Sequence, residues 1–149
     1  IETLTRLSRV GFDNCLGFLN GGINEWENQG NPIASIETIK SKDFVDILKL
    51  NKINILDVRS KSEFDNKHIE GAINFPLNSL QEMHNEIKYE DKLYVHCAGG
   101  YRSVIAISIL MKLGFKPMTN ITEGFNEILK CNLNENCYNS INSLNCNNT

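Results

Sequence analysis

Residues 94–103, YVHCAGGYRS, set one cysteine at the end of an apolar run and follow it with two glycines and a cation. Leu93 to His96 reads as a parallel strand, and a residue directly after such a strand lies at the carboxyl edge of the sheet, where α/β sites form. The loop Cys97-Ala98-Gly99-Gly100-Tyr101-Arg102 must then curl back to begin a helix at about Arg102 or Ser103. Gly99 and Gly100 lack a Cβ, so the backbone can turn tightly and aim N–H groups inward. The helix start adds its own unpaired N–H groups and partial positive charge. The result is a cradle centred on sulfur, which stabilises a thiolate and equally a thiolate that has acquired a second sulfur. Persulfide is the product that suits it. Ala98 and Gly99 leave the mouth open, while Tyr101 either walls it or points outward. By strand alternation His96 faces away from Cys97, which gives it a structural or supporting role.

The elements that must position this loop are written around it. The run KINILDVRS from Lys52 has the near-continuous hydrophobicity of a strand covered on both faces. Ser41 is placed to cap a helix whose Phe44, Ile47 and Leu48 share one face. Asn78 and Gln81, three apart, suggest a capping box for a short helix through Met83 and Ile87. Ser103 to Leu113 reads as a largely buried helix, with Gly114 as its left-handed stop. A strand over Met118 to Ile121 and a helix from about Gly124 to Lys130 complete the series. Alternating strands and helices of these lengths mean a three-layer α/β domain with a mainly parallel sheet flanked by helices, over residues 32–130.

Composition narrows the chemistry. The 149 residues are 41% hydrophobic, enough for one complete core, and carry 15 basic against 18 acidic side chains. No basic cluster tracks a phosphate backbone, so nucleic acid is not an expected partner. No apolar run reaches membrane-spanning length, and the first ten residues lack the apolar block of a secretory signal. The five cysteines (Cys15, Cys97, Cys131, Cys137 and Cys146) form no CxxC pair, and the three histidines show no metal-ligand spacing. These patterns suit a reducing, cytoplasmic setting, with no metal and no added cofactor.

Two ends fall outside the main domain. Residues 131–149 contain eight asparagines and few apolar anchors, so the tail is expected to be disordered and its two later cysteines bystanders. The N-terminal thirty residues repeat a later passage. Gly11-Phe12, a short apolar strand and Gly22 followed by Asn24-Glu25 correspond to Gly114-Phe115, a strand and Gly124 followed by Asn126-Glu127; the glycine spacing is eleven in one and ten in the other. Residues 1–30 are therefore expected to be the end of a preceding unit of the same kind, or a linker. Asn31 and Pro32 mark the junction, and Leu16, Phe18, Leu19 and Trp26 require cover from the main domain or from a second chain in a homo-oligomer.

The loop Cys97 to Ser103 resembles the active-site loop of the rhodanese, or thiosulfate sulfurtransferase, superfamily. The resemblance continues through Asp57-Val58-Arg59, Glu63-Phe64, His68-Ile69-Glu70-Gly71-Ala72-Ile73-Asn74, Pro76 and Gly124-Phe125. It implies that Cys97 forms the persulfide and that Ala98, Gly99, Gly100, Tyr101, Arg102 and Ser103 surround the transferred sulfur. Asp57 and Arg59 match a strand-end pair near the loop. Their spacing of two puts both on one side of the strand, as an ion pair holding the loop or as a substrate contact. His68, Glu70 and Gly71 match a turn after the first helix. The N-terminal fragment, with Gly21, Gly22 and Trp26, resembles the end of a rhodanese-like unit preceding a C-terminal rhodanese domain in fusions with a metallo-β-lactamase-like domain.

The resemblance implies a sulfurtransferase that moves sulfane sulfur from thiosulfate or a low-molecular-weight persulfide to a thiol or cyanide. Its partners would then be small sulfur anions, thiols and the fused neighbour. One rival is a non-catalytic binding or sulfur-relay module serving a fused persulfide dioxygenase, though degenerate members lose the cysteine that this chain keeps. The other is a cysteine phosphatase or arsenate reductase. Those loops place the arginine six positions after the cysteine, whereas Arg102 follows Cys97 by five. The shorter ring suits one sulfur and holds a tetrahedral oxyanion poorly.

Overall fold

The computed structural model describes residues 2–9, 11–87, 91–131 and 138–140. They fall into two compact units, Ile1–Ser35 and Ile36–Thr149, so the division lies slightly beyond the expected Asn31-Pro32 junction. The first unit contains helices α1 (Glu2–Ser8) and α2 (Gly22–Asn28). The Trp26 indole N–H donates to the Pro32 carbonyl at 3.0 Å, and the Asn31 side-chain amide donates to the Trp26 carbonyl at 3.1 Å, which finishes α2. The expected strand between them does not form. Residues 12–19 have no regular structure, and Leu16 and Phe18 are exposed. A strand with no neighbour has nothing in its own unit to take its N–H and C=O groups.

The second unit runs β1 (Glu37–Ile39), α3 (Ser41–Leu50), β2 (Asn54–Asp57), α4 (Lys61–Asn66), β3 (Lys67–Ile69), β4 (Ile73–Asn74), α5 (Leu80–Met83), β5 (Leu93–His96), α6 (Tyr101–Lys112), β6 (Met118–Ile121), α7 (Gly124–Ile128) and β7 (Tyr138–Ser140). Five strands form one sheet in the order β1-β6-β5-β2-β4, and every neighbouring pair is parallel. The α/β reading therefore holds. The sequence pattern did not reveal the short edge strands β1 and β4. Part of the tail expected to be disordered is also ordered: Tyr138–Ser140 pairs antiparallel with β3. Cys137 and Cys146 lie outside the described residues.

Side-chain alternation sorts the sheet into two cores. Leu56, Val58, Leu93, Val95 and Cys97 point to one face, where Leu80 and α6 residues Ala106, Ile107 and Leu110 cover them. Ile55 and Tyr94 point to the other, against Phe44 and Val45 of α3 and Phe125 and Ile128 of α7. Because both faces are covered, β5 is buried at every position, as its uninterrupted apolar pattern requires.

Two cap assignments change. Ser41 is the first helical residue of α3, not its cap. Its N–H donates to the Glu123 carboxylate at 3.0 Å, and its hydroxyl donates to the Gly124 carbonyl at 3.3 Å, tying α3 to the start of α7. Asn78 caps nothing; the capping box is Ser60 with Glu63 at the start of α4. Gly114 ends α6 at φ +92°, as expected.

His96 faces away from Cys97 and stacks on Phe125, with ring centroids 5.8 Å apart. It is fully buried, and that burial pushes its imidazole below the ordinary range against the pull of the Asp57 carboxylate. A ring held neutral in the fold takes up no proton, whereas the unfolded chain binds one below about pH 6.5, so stability falls as pH drops through that value. The melting temperature should decline between pH 7 and pH 5.5, and His96→Gln should lose that part of the slope. A wild-type melting temperature that stays level across this interval would contradict the assignment.

Candidate active site

The thiol loop begins where β5 ends. Cys97 is 1% exposed, and its sulfur sits on the α6 side of the sheet. The Gly100 N–H donates to Sγ at 3.2 Å, and the Ser103 hydroxyl lies 3.6 Å from Sγ and 3.1 Å from the Gly100 carbonyl. Its single proton can serve one of these acceptors at a time. Gly100 is the residue before α6, which places the positive end of a twelve-residue helix beside the sulfur. Ala98 is half-buried, whereas Gly99 and Tyr101 are exposed.

The two loop glycines do different jobs. Gly100 adopts φ +85°, and a Cβ there would stand 1.6 Å from the Thr122 carbonyl oxygen. That contact is with backbone, so no side-chain adjustment relieves it. Gly99 has neither a positive φ nor a neighbour within reach of a Cβ, and its contribution is an unobstructed mouth.

A third glycine completes the clamp. Gly124, at φ +65°, lets the start of α7 approach so closely that a Cβ would stand 2.5 Å from the Cys97 carbonyl oxygen. The Phe125 and Asn126 N–H groups then donate to the Cys97 and Ala98 carbonyls at 2.7 and 3.0 Å. With these carbonyls turned towards α7, the loop is held from behind while Gly100 presents its N–H to sulfur.

Asp57 and Arg59 lie on the opposite face of the sheet from Cys97. The Arg59 side chain donates to both Asp57 oxygens at 2.6–3.0 Å and to the Lys67 carbonyl at 2.9 Å, and its guanidinium lies 3.8 Å from the Phe125 ring centroid. Both residues are buried. Of the two roles left open, holding the structure fits this geometry: the pair supports Phe125, whose N–H holds the loop. The Asn74 side chain adds two donated bonds, to the Asp57 and Arg59 carbonyls, each at 2.9 Å. His68 stacks on Phe64 with its Nδ1 2.8 Å from the Phe64 carbonyl, a turn-forming role.

Arg102 has a partner that sequence spacing did not indicate. Its two terminal nitrogens donate to the two oxygens of Glu63, both at 2.8 Å. Glu63 is itself fixed by the Ser60 N–H and hydroxyl in the α4 capping box, at 3.0 and 2.8 Å. Arg102 holds the Glu63 carboxyl down at about 2. In return Glu63, ahead of a smaller contribution from the Cys97 sulfur, raises the Arg102 guanidinium above its usual range. The cation at the end of the loop is thus already matched by a carboxylate. The Ser60-Lys61-Ser62-Glu63 spacing was a visible signal for the cap, but nothing local links positions 63 and 102.

Comparison with known proteins places this geometry in a family. The rhodanese-like domain profile matches residues 41–131. YrkF of Bacillus subtilis, named as a candidate sulfur carrier protein, is 34% identical over 108 residues, covering 72% of this chain and 56% of that protein. The thiosulfate sulfurtransferase GlpE of Coxiella burnetii is 29% identical over 80 residues, covering 54% of this chain and 75% of the relative. This chain spans 56% and 59% of the length of two Bacillus subtilis relatives, YrkF and YqhL. Among solved structures, SSP1007 of Staphylococcus saprophyticus superposes with a TM-score of 0.57 at 30% identity, covering 62% of this chain and 93% of that one. A rhodanese-like domain protein of Staphylococcus aureus gives 0.57 at 24% identity, covering 62% and 91%, a likeness of fold.

Removing one member of a buried ion pair strands the other, at a cost of about 3–5 kcal/mol. Arg59→Met should destabilise by this order in urea denaturation, and adding Asp57→Asn should recover much of the loss. Arg59→Met with unchanged stability would show that the pair does not support the fold.

Proposed function

Because the chain belongs to the rhodanese-like domain family, we propose that it is a sulfurtransferase working through a persulfide on Cys97. The observation that carries this reading is a sulfur atom at the bottom of a narrow loop, 1% exposed as a residue and facing the Gly100 N–H at 3.2 Å. Such a site admits a terminal atom and favours negative charge on it. The outer sulfur of thiosulfate or of a persulfide meets both conditions.

The Cys97 thiolate attacks that outer sulfur, the donor's S–S or S–SO₃ bond breaks, and thiolate or sulfite departs with the bonding pair. An acceptor, cyanide or a thiol, then attacks the outer sulfur of the Cys97 persulfide and displaces the Cys97 thiolate. Thiocyanate or a new persulfide leaves. In both halves negative charge stays on sulfur, where the Gly100 N–H and the start of α6 stabilise it. The other residues hold position: Gly124 and Phe125 the carbonyl side of the loop, Ser103 the turn into α6, and Asp57, Arg59 and His96 the support beneath Phe125. A relay role, passing sulfur to or from a fused neighbour, uses the same two steps. The phosphatase reading loses further ground, because Arg102 is engaged by Glu63 and is not free to clasp a tetrahedral oxyanion.

Incubation with a sulfane donor should add one sulfur, about 32 Da, to Cys97 by intact-mass spectrometry and peptide mapping. Cyanide should remove it, and Cys97→Ala should abolish turnover. An unmodified Cys97, or Cys97→Ala protein that still transfers sulfur at the wild-type rate, would refute the proposal.

A further inference from the structure

The charges around the thiol loop do not favour a small dianion. Arg102 is bound through both terminal nitrogens to Glu63, Arg59 is closed onto Asp57, and Glu123, beside the clamp glycine Gly124, accepts from the Ser41 N–H. Of these charges only Arg102 interacts with the Cys97 sulfur, and it does so already paired with a carboxylate. Lys61, on the same helix as Glu63, is paired with Asp65. The Glu63–Arg102 pair is itself about two-thirds shielded, with side chains 36% and 30% exposed, so its charges are only partly screened by water. The exposed surface at the start of α6 is organic in character: Tyr101 and Val104, three apart on one helix face, are 46% and 39% exposed.

We propose that Glu63 is a specificity-determining residue: by cancelling Arg102 at the mouth of the loop, it turns the site away from small dianionic donors such as thiosulfate and towards organic persulfides. This rests on the sulfurtransferase reading and adds the donor class to it. Glu63 acts through Arg102 and not on the reacting atoms. In the step it selects, the Cys97 thiolate takes the outer sulfur of R–S–SH, the S–S bond breaks, R–S⁻ leaves with the electron pair, and the proton stays with the new persulfide or passes to solvent.

The test compares thiosulfate with 2-hydroxyethyl persulfide, whose charge is confined to sulfur. Glu63→Gln retains an oxygen for the α4 cap and for one Arg102 nitrogen while removing the negative charge. The thiosulfate kcat/KM, taken relative to that for 2-hydroxyethyl persulfide, should rise about fivefold or more in E63Q at low ionic strength, and the rise should collapse in high salt. A general loosening of the loop would lower both donors together and leave their ratio unmoved. A second measurement needs no variant: in the wild-type protein, thiosulfate kcat/KM should be nearly independent of ionic strength. A steep fall with salt in the wild type, or an unchanged or lower donor ratio in folded E63Q, would overturn the assignment. If Cys97 takes up sulfur from both donors but their ratio does not respond, only the role of Glu63 fails. If neither donor loads Cys97 in either protein, the sulfurtransferase reading fails and the assignment with it.

Discussion

The structure around Cys97 depends on one backbone contact, the start of α7 packed directly against the loop that follows β5. Two N–H groups of α7 take the Cys97 and Ala98 carbonyls. Two glycines at positive φ, Gly100 and Gly124, allow the chains to approach within distances no Cβ would permit. With the carbonyls committed in one direction, the Gly100 N–H points to sulfur. An oriented amide in a water-poor pocket stabilises charge more strongly than the same group in solvent, because it does not reorganise when the charge arrives. The support is layered: Phe125 donates to the loop, Arg59 and His96 pack on its ring, and Asp57 fixes Arg59.

Strand alternation divides labour across the sheet. Cys97 faces α6, and the buried polar set of Asp57, Arg59 and His96 faces α7. Cys97 and this support are neighbours in sequence yet lie on opposite faces. The face that holds Cys97 can thus stay apolar and simple around a single sulfur, while the cost of burying charge is confined to the other face. The Glu63–Arg102 bridge is the exception, since it ties the first turn of α4 to the first turn of α6 across the loop mouth.

Much of this was legible in the chain. The apolar runs of β2 and β5 marked a parallel sheet covered on both faces. Cys97 directly after β5, followed by glycines and a helix, marked the cradle, and alternation placed His96 on the far side. What was hidden was hidden for physical reasons. The edge strands β1 and β4 are three and two residues long, too short for a periodic signal. The strand expected near Leu16 to Leu19 has its sequence pattern but no sheet in its own unit to complete. Tyr138–Ser140 pairs through backbone groups that an asparagine-rich composition does not advertise. The Glu63–Arg102 pair spans thirty-nine positions and is created only when α4 and α6 meet.

The central claim is that the oriented Gly100 N–H holds anionic sulfur on Cys97, and amide NMR of the labelled protein before and after loading with a sulfane donor tests it most directly. The account predicts that the Gly100 amide is among the most strongly shifted and the most slowly exchanging in the loop once the second sulfur is bound, and that cyanide restores both properties. A Gly100 amide that neither shifts nor gains protection while Cys97 carries the extra sulfur would contradict it.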